Sequence, residues 1–145
     1  MKTAGYSGTP LYKKLGVKAG NRVWVSNAPE GYQDELANAG SFELTKKLAK
    51  DLDFVHYFAV NRASLLREFP KLRDSIKPAG MLWISWPKRS SGIPTDLDEN
   101  IVREIGLKAG LVDVKVCAVD DIWSGLKFVV RRSDRSRSDG KKASS

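Results

Sequence analysis

Three apolar runs, each followed by a stretch patterned for a helix, and then two runs set back to back, leave this chain few folds to adopt. The runs occupy residues 22–27, 53–60 and 81–86, and the closing pair residues 112–119 and 126–131. They are apolar at consecutive positions, as in Val23-Trp24-Val25, and so read as strands buried on both faces. Between them, residues 32–38 read as a short helix stopped near Gly40. Leu65, Phe69, Leu72 and Ile76 repeat at helical spacing behind an Asn61 cap, and Pro70 inside that pattern is expected to kink or split the helix. Lys77-Pro78-Ala79-Gly80 ends it. Leu97, Ile101 and Ile105 mark a further helix, capped by Thr95 and stopped at Gly110. Residues 10–15 suggest a short helix closed by Gly16, and residues 42–45 a short strand. The six residues 120–125 are too few for a parallel crossover, so the last pair is antiparallel. The expected architecture is a three-layer α/β domain, its sheet mostly parallel and ending in an antiparallel hairpin.

A length of 145 residues suits one such domain, expected over residues 1–132 with residues 1–21 as an arm packed on it. The formal net charge of +8 invites a nucleic-acid reading, so its position matters. Residues 131–145 hold six basic and two acidic side chains, which is half of the excess. Residues 133–145 are therefore expected to be a disordered basic Ser/Arg/Lys tail. Such a tail suits weak, salt-sensitive contact with nucleic acid and not base recognition, and reads first as a solubilising extension. No run of eighteen apolar residues is present for a membrane span, and no apolar stretch follows the N-terminal charge as in a secretory signal. A single cysteine, Cys117, makes no internal disulfide. These features point to the cytoplasm.

Two resemblances sharpen the picture. Pro78-Ala79-Gly80 leading into the strand at 81–86, the helix ending in Ala109-Gly110-Leu111 and the closing hairpin resemble the C-terminal half of class I, Rossmann-like methyltransferases, over about residues 53–132. Gly5-Tyr6-Ser7-Gly8-Thr9-Pro10, Ala28-Pro29-Glu30-Gly31-Tyr32, Trp83-Ile84-Ser85-Trp86-Pro87-Lys88 and the stretch from Val116 to Leu126 resemble a bacterial family labelled only as a domain of unknown function. The resemblance implies a Rossmann-like fold in bacterial cytoplasm and supplies no activity. Residues 31–53 leave room for one weak strand where the full methyltransferase fold has a further strand–helix unit, so the fold is expected to be reduced by that unit.

The turn after the first strand decides the functional reading. Cofactor-binding enzymes of this class place a glycine-rich loop there, because residues without Cβ let backbone approach the ligand. Here it reads Ser26-Asn27-Ala28-Pro29-Glu30-Gly31, with one glycine and a proline that removes a donor. No cofactor is therefore expected, with adenosylmethionine reserved for an alternative reading. Ligands of doubly wound sheets bind outside the carboxyl ends of the strands. That edge collects Asn27, Glu30, Arg62, Lys88, Arg89, Asp120 and Trp123 as candidate ligand contacts, Lys88 and Arg89 for an anion, Asp120 and Trp123 for a base or sugar. The loop at Trp86–Arg89 reads equally as a solvated loop, and the turn at 120–125 reads rather as a structural one.

His56, the one histidine, lies inside a strand and reads as a hydrogen-bonded core residue; with no second histidine, no metal site is expected. No Gly-x-Ser-x-Gly elbow occurs. Cys117 reads as a small core hydrophobe. Asp120 and Asp121 are adjacent and would face opposite sides of a strand, which argues against a shared acid–base site. Three readings follow. The first is a non-catalytic domain binding a small anionic or nucleotide-like ligand, or a protein partner. The second is a divergent adenosylmethionine-dependent methyltransferase. The third is an accessory nucleic-acid binder acting through the tail.

Overall fold

The computed structural model describes residues 9–134. The segment around Tyr6 and residues 135–145 of the expected 133–145 tail lie outside these described residues, while residues 132–134 form a helical turn. Six strands form one sheet: β1 (Arg22–Ser26), β2 (Glu43–Leu44), β3 (Leu52–Phe58), β4 (Ile76–Pro87), β5 (Leu111–Ala118) and β6 (Trp123–Val130). Their spatial order is β2-β1-β3-β4-β6-β5. Strands β1 to β4 run parallel, and β6 runs antiparallel to both β4 and β5. Helices α1 (Leu11–Leu15) and α2 (Tyr32–Leu36) pack on one face, α3 (Arg62–Ser75) and α4 (Glu99–Lys108) on the other. This is the three-layer, mostly parallel sheet with a terminal antiparallel hairpin. Seven residues, 45–51, carry the chain from β2 to β3 with no helix, so the expected reduction by one strand–helix unit is present.

Each face has its own core. Leu65, Phe69 and Leu72 of α3 and Val102 and Ile105 of α4 close over Val55, Leu82, Ile84, Leu126 and Phe128. Leu11 and Leu15 of α1 and Tyr32 and Leu36 of α2 close over Val23, Phe54, Phe58 and Trp83. The Trp83 indole N–H, fully buried, donates to the Leu15 carbonyl at 2.8 Å and so ties α1 to the sheet. Gly106 lets α4 descend onto β6, since a Cβ there would stand 2.0 Å from the Phe128 ring.

Local details differ from the sequence expectation in four places. Ile76 begins β4 instead of ending α3, and between Ile76 and Met81 the Lys-Pro-Ala-Gly stretch bulges out against the two-step advance of β3 from Leu52 to Phe54. Helix α3 is one element across Pro70, because Pro70 and Leu66, whose carbonyl loses its amide partner, are both solvent-exposed. Asp98 caps α4, its carboxylate accepting from the Ile101 amide at 2.8 Å. Thr95 instead accepts from the Leu97 amide and donates to the Val60 carbonyl at 2.6 Å, tying the loop to the end of β3. Finally, only Val23 of β1 is fully buried, because β1 is flanked on one side by the two-residue, exposed β2. The most buried strands are β3, apart from Asp53, and the second half of β4.

Candidate functional site

The chain leaves β1 to one side, for β2, and returns to the other, for β3, so the strand order reverses between β1 and β3. In an open α/β sheet the crevice at such a reversal is where ligands settle. Here the crevice is spanned by the chain itself. Asn27, the residue after β1, adopts the left-handed conformation (φ 61°), and its carboxamide donates to the carbonyl of Phe58, the last residue of β3, at 3.4 Å. The following turn places Gly31 at φ 85° and starts α2 with Tyr32, which is buried.

Beneath that bridge lies a packed polar–aromatic column. The Tyr32 hydroxyl and His56 Nδ1 are 2.5 Å apart, and His56 Nε2 and the Ser85 hydroxyl 2.7 Å apart, all three buried. A neutral imidazole has one donor and one acceptor nitrogen, so the chain of hydrogen bonds runs in a single direction through the ring. Burial holds the His56 imidazole neutral, with its pKa lowered to about 3, and raises that of the Tyr32 phenol well above its ordinary value. Phe58 stacks on His56 with centroids 4.1 Å apart and meets Tyr32 and Trp123 edge-on at 5.2 Å each. The sequence marks this column only as a lone histidine in an apolar strand; that Tyr32 and Ser85 would reach it from two other elements is a product of strand register, His56 pairing with Trp83, two residues before Ser85 on the same face.

The seven residues expected at this edge do lie along it, but they are divided among separate places. Asn27 and Trp123 converge on Phe58. Asp120 accepts from the amides of Ile122 and Trp123, both at 2.8 Å, which uses one carboxylate oxygen to hold the turn. The Lys88 amide donates to the Ile122 carbonyl and links that turn to the end of β4. Arg62 is exposed, and its amide donates to Asp96 at 2.7 Å. Glu30 borders a shallow depression with Pro29, Gly31 and Gln33, apart from the others.

Arg89 alone of the seven lines the larger cleft, a space of about 420 Å³ under the loop between β4 and α4. Trp86, Pro94, Leu97 and Asp98 form its other walls. Among the described residues the Arg89 side chain has no hydrogen-bond or ion-pair partner. The sequence marks only the Trp86–Arg89 side of this cleft; the opposite wall, Pro94 to Asp98, lies where Thr95 bonds to the Val60 carbonyl. Among the described residues no group of histidine, cysteine and carboxylate side chains is placed to hold a metal ion. No helix of the described residues is long and apolar enough to cross a membrane.

Solved structures with a similar arrangement include several methyltransferases. A SAM-dependent methyltransferase from Aquifex aeolicus superposes with a TM-score of 0.60 at 19% identity, over 83% of this chain and 88% of that one. Magnesium protoporphyrin IX methyltransferase from Synechocystis, with bound SAM, gives 0.55 at 12% identity over 83% and 74%. A putative methyltransferase in complex with the Haloferax volcanii methyltransferase activator gives 0.56 at 13% identity over 84% and 88%. The fold is methyltransferase-like. No protein-family model matches the chain, and no curated protein matches it. At such identities the likeness establishes the fold alone, and the chemistry of this methyltransferase-like domain has to be argued from its own residues.

Proposed function

We propose that the chain is a non-catalytic methyltransferase-like domain that takes a small anionic, nucleotide-like ligand in the cleft beside β4. One observation supports this reading above all: the larger cleft opens at the end of β4 and not between β1 and β3. The crevice between β1 and β3 is bridged by Asn27 and Phe58, while the cleft with an unpaired arginine and a tryptophan wall lies at the end of the next strand. A volume of about 420 Å³ suits a ligand of nucleotide size, and Arg89 supplies a fixed positive charge for it.

Adenosylmethionine, which several of the similar structures use or hold, does not fit the loop after β1. Close approach of backbone to such a ligand needs positions without Cβ and with free amides. Ala28 and Pro29 carry side chains there, Pro29 has no N–H, and the Asn27 carboxamide is engaged with Phe58.

Calorimetric titration of the full chain with ATP and with adenosylmethionine tests the proposal. Saturable heat with ATP that disappears in Arg89→Ala, and none with adenosylmethionine, is the expected pattern. Saturable adenosylmethionine binding, with transfer of a labelled methyl group that is lost in Asn27→Ala or Asp120→Ala, would establish the rival reading of a divergent methyltransferase. That rival rests on the shared fold and on Gly31, which keeps a left-handed turn at the start of α2.

A further inference from the structure

A second charged feature lies away from the strand ends. Lys115 on β5 and Lys127 on β6 are register partners in the hairpin. The Lys115 ammonium donates to the Lys14 carbonyl at 2.7 Å, at the end of α1. A methyl group on Gly16, just beyond α1, would lie 3.7 Å from the Lys127 ammonium. Lys18 follows in the next turn and, together with Lys115 and with burial as the larger cause, lowers the pKa of Lys127. Lys14 and Lys115 likewise act on the Cys117 thiol beside them, although burial dominates there and raises its pKa. Four lysines thus crowd one face of the hairpin. Among the described residues none of them is ion-paired to a carboxylate.

Like charges gathered without counter-charge weaken the folded state and suit an external polyanion. We propose that this lysine face binds the phosphate backbone of nucleic acid without reading its bases. Several observations select that partner. The large exposed apolar side chains of the described residues are all aliphatic, which suits contact with phosphates and not stacking on bases. Val116 alternates with Lys115 and Cys117 along β5 and so faces the opposite side. Arg131 follows Lys127 by four residues, about 13 Å along an extended chain, and opens a stretch with six basic side chains. Lysines act as point charges on phosphates.

The test is fluorescence anisotropy of the full chain on a labelled random-sequence DNA duplex, across a salt series starting at about 50 mM. Three proteins are compared: the natural chain, one with Lys14, Lys18, Lys115 and Lys127 all changed to Gln, and one with the six basic residues of 131–145 changed to Gln. Each phosphate contact adds about 0.9 to the slope of log affinity against log salt, so the four-lysine variant is expected to lose about 3.6 units of slope. The tail variant should retain that part. Circular dichroism checks the fold; should the four-lysine variant misfold, Lys18→Gln and Lys115→Gln singly are each expected to lower the slope by about 0.9. An unchanged slope in the lysine variants overturns the proposal. So does absence of duplex binding by the natural chain at the lowest salt, or binding confined to vesicles of anionic lipid.

Discussion

Acid should destabilise this protein well before its carboxylates titrate, and His56 is the reason. Its imidazole is fully buried between Tyr32 and Ser85, and burial lowers its pKa to about 3. In the unfolded chain the same group titrates near its ordinary value of about 6.5. Below that value the unfolded state takes up a proton that the native state refuses until about pH 3, so the stability present above pH 6.5 is lost as the pH falls. Integrating the difference between pH 7 and pH 5 costs about 2 kcal/mol, and the slope below pH 6 approaches about 1.4 kcal/mol per pH unit. Asp53 and Asp113, whose pKa values are lowered by their partners, work in the same direction, but only near and below their unfolded value of 3.8. The window from pH 7 to pH 5 therefore isolates the histidine.

Urea unfolding at the two pH values, followed by tryptophan fluorescence, measures the effect. His56→Leu should be less stable at pH 7 yet lose most of the difference between the pH values. Because the chain has one histidine, its imidazole proton resonance is unambiguous, and it should not shift between pH 8 and pH 5 in the folded protein. A native titration midpoint near 6.5, or equal stability at pH 7 and pH 5, would refute the reasoning.

Two further perturbations address the packing that frames the site. Gly106→Ala places a methyl group 2.0 Å from the buried Phe128 ring; overpacking of about 1–3 kcal/mol should outweigh the roughly 1 kcal/mol gained in helix propensity, and an unchanged or raised melting temperature would contradict the close approach of α4 to β6. Asp98→Ala removes the N-cap of α4 and should lower stability by about 1 kcal/mol in denaturant titrations; a neutral result would return the capping role to Thr95.

The elements themselves were legible because their signals are local. An apolar run such as residues 53–60, the Asn61 cap with its bond to the Ser64 amide, and Gly16 in a left-handed turn each act within a few residues of chain. The errors lay where a distant partner decided the outcome. Ile76 fits the helical spacing of Leu65, Phe69 and Leu72, but pairing with Leu52 draws it into β4. Thr95 stands as a plausible cap until the Val60 carbonyl claims its hydroxyl.

For function the division is the same. The amino-acid sequence by itself determined the alternation that builds a methyltransferase-like sheet and the Asn-Ala-Pro-Glu-Gly turn that departs from a cofactor loop, since both depend on residue types at short spacing. Tertiary structure alone decided that Asn27 reaches Phe58, that Tyr32, His56 and Ser85 form one buried chain, that a cleft opens beside Arg89, and that four lysines from α1, the turn after it, β5 and β6 share one face. The hydrogen bonds among them join residues 24 to 101 positions apart, and such contacts are set by strand order and register, which act through space and leave no periodic mark along the chain.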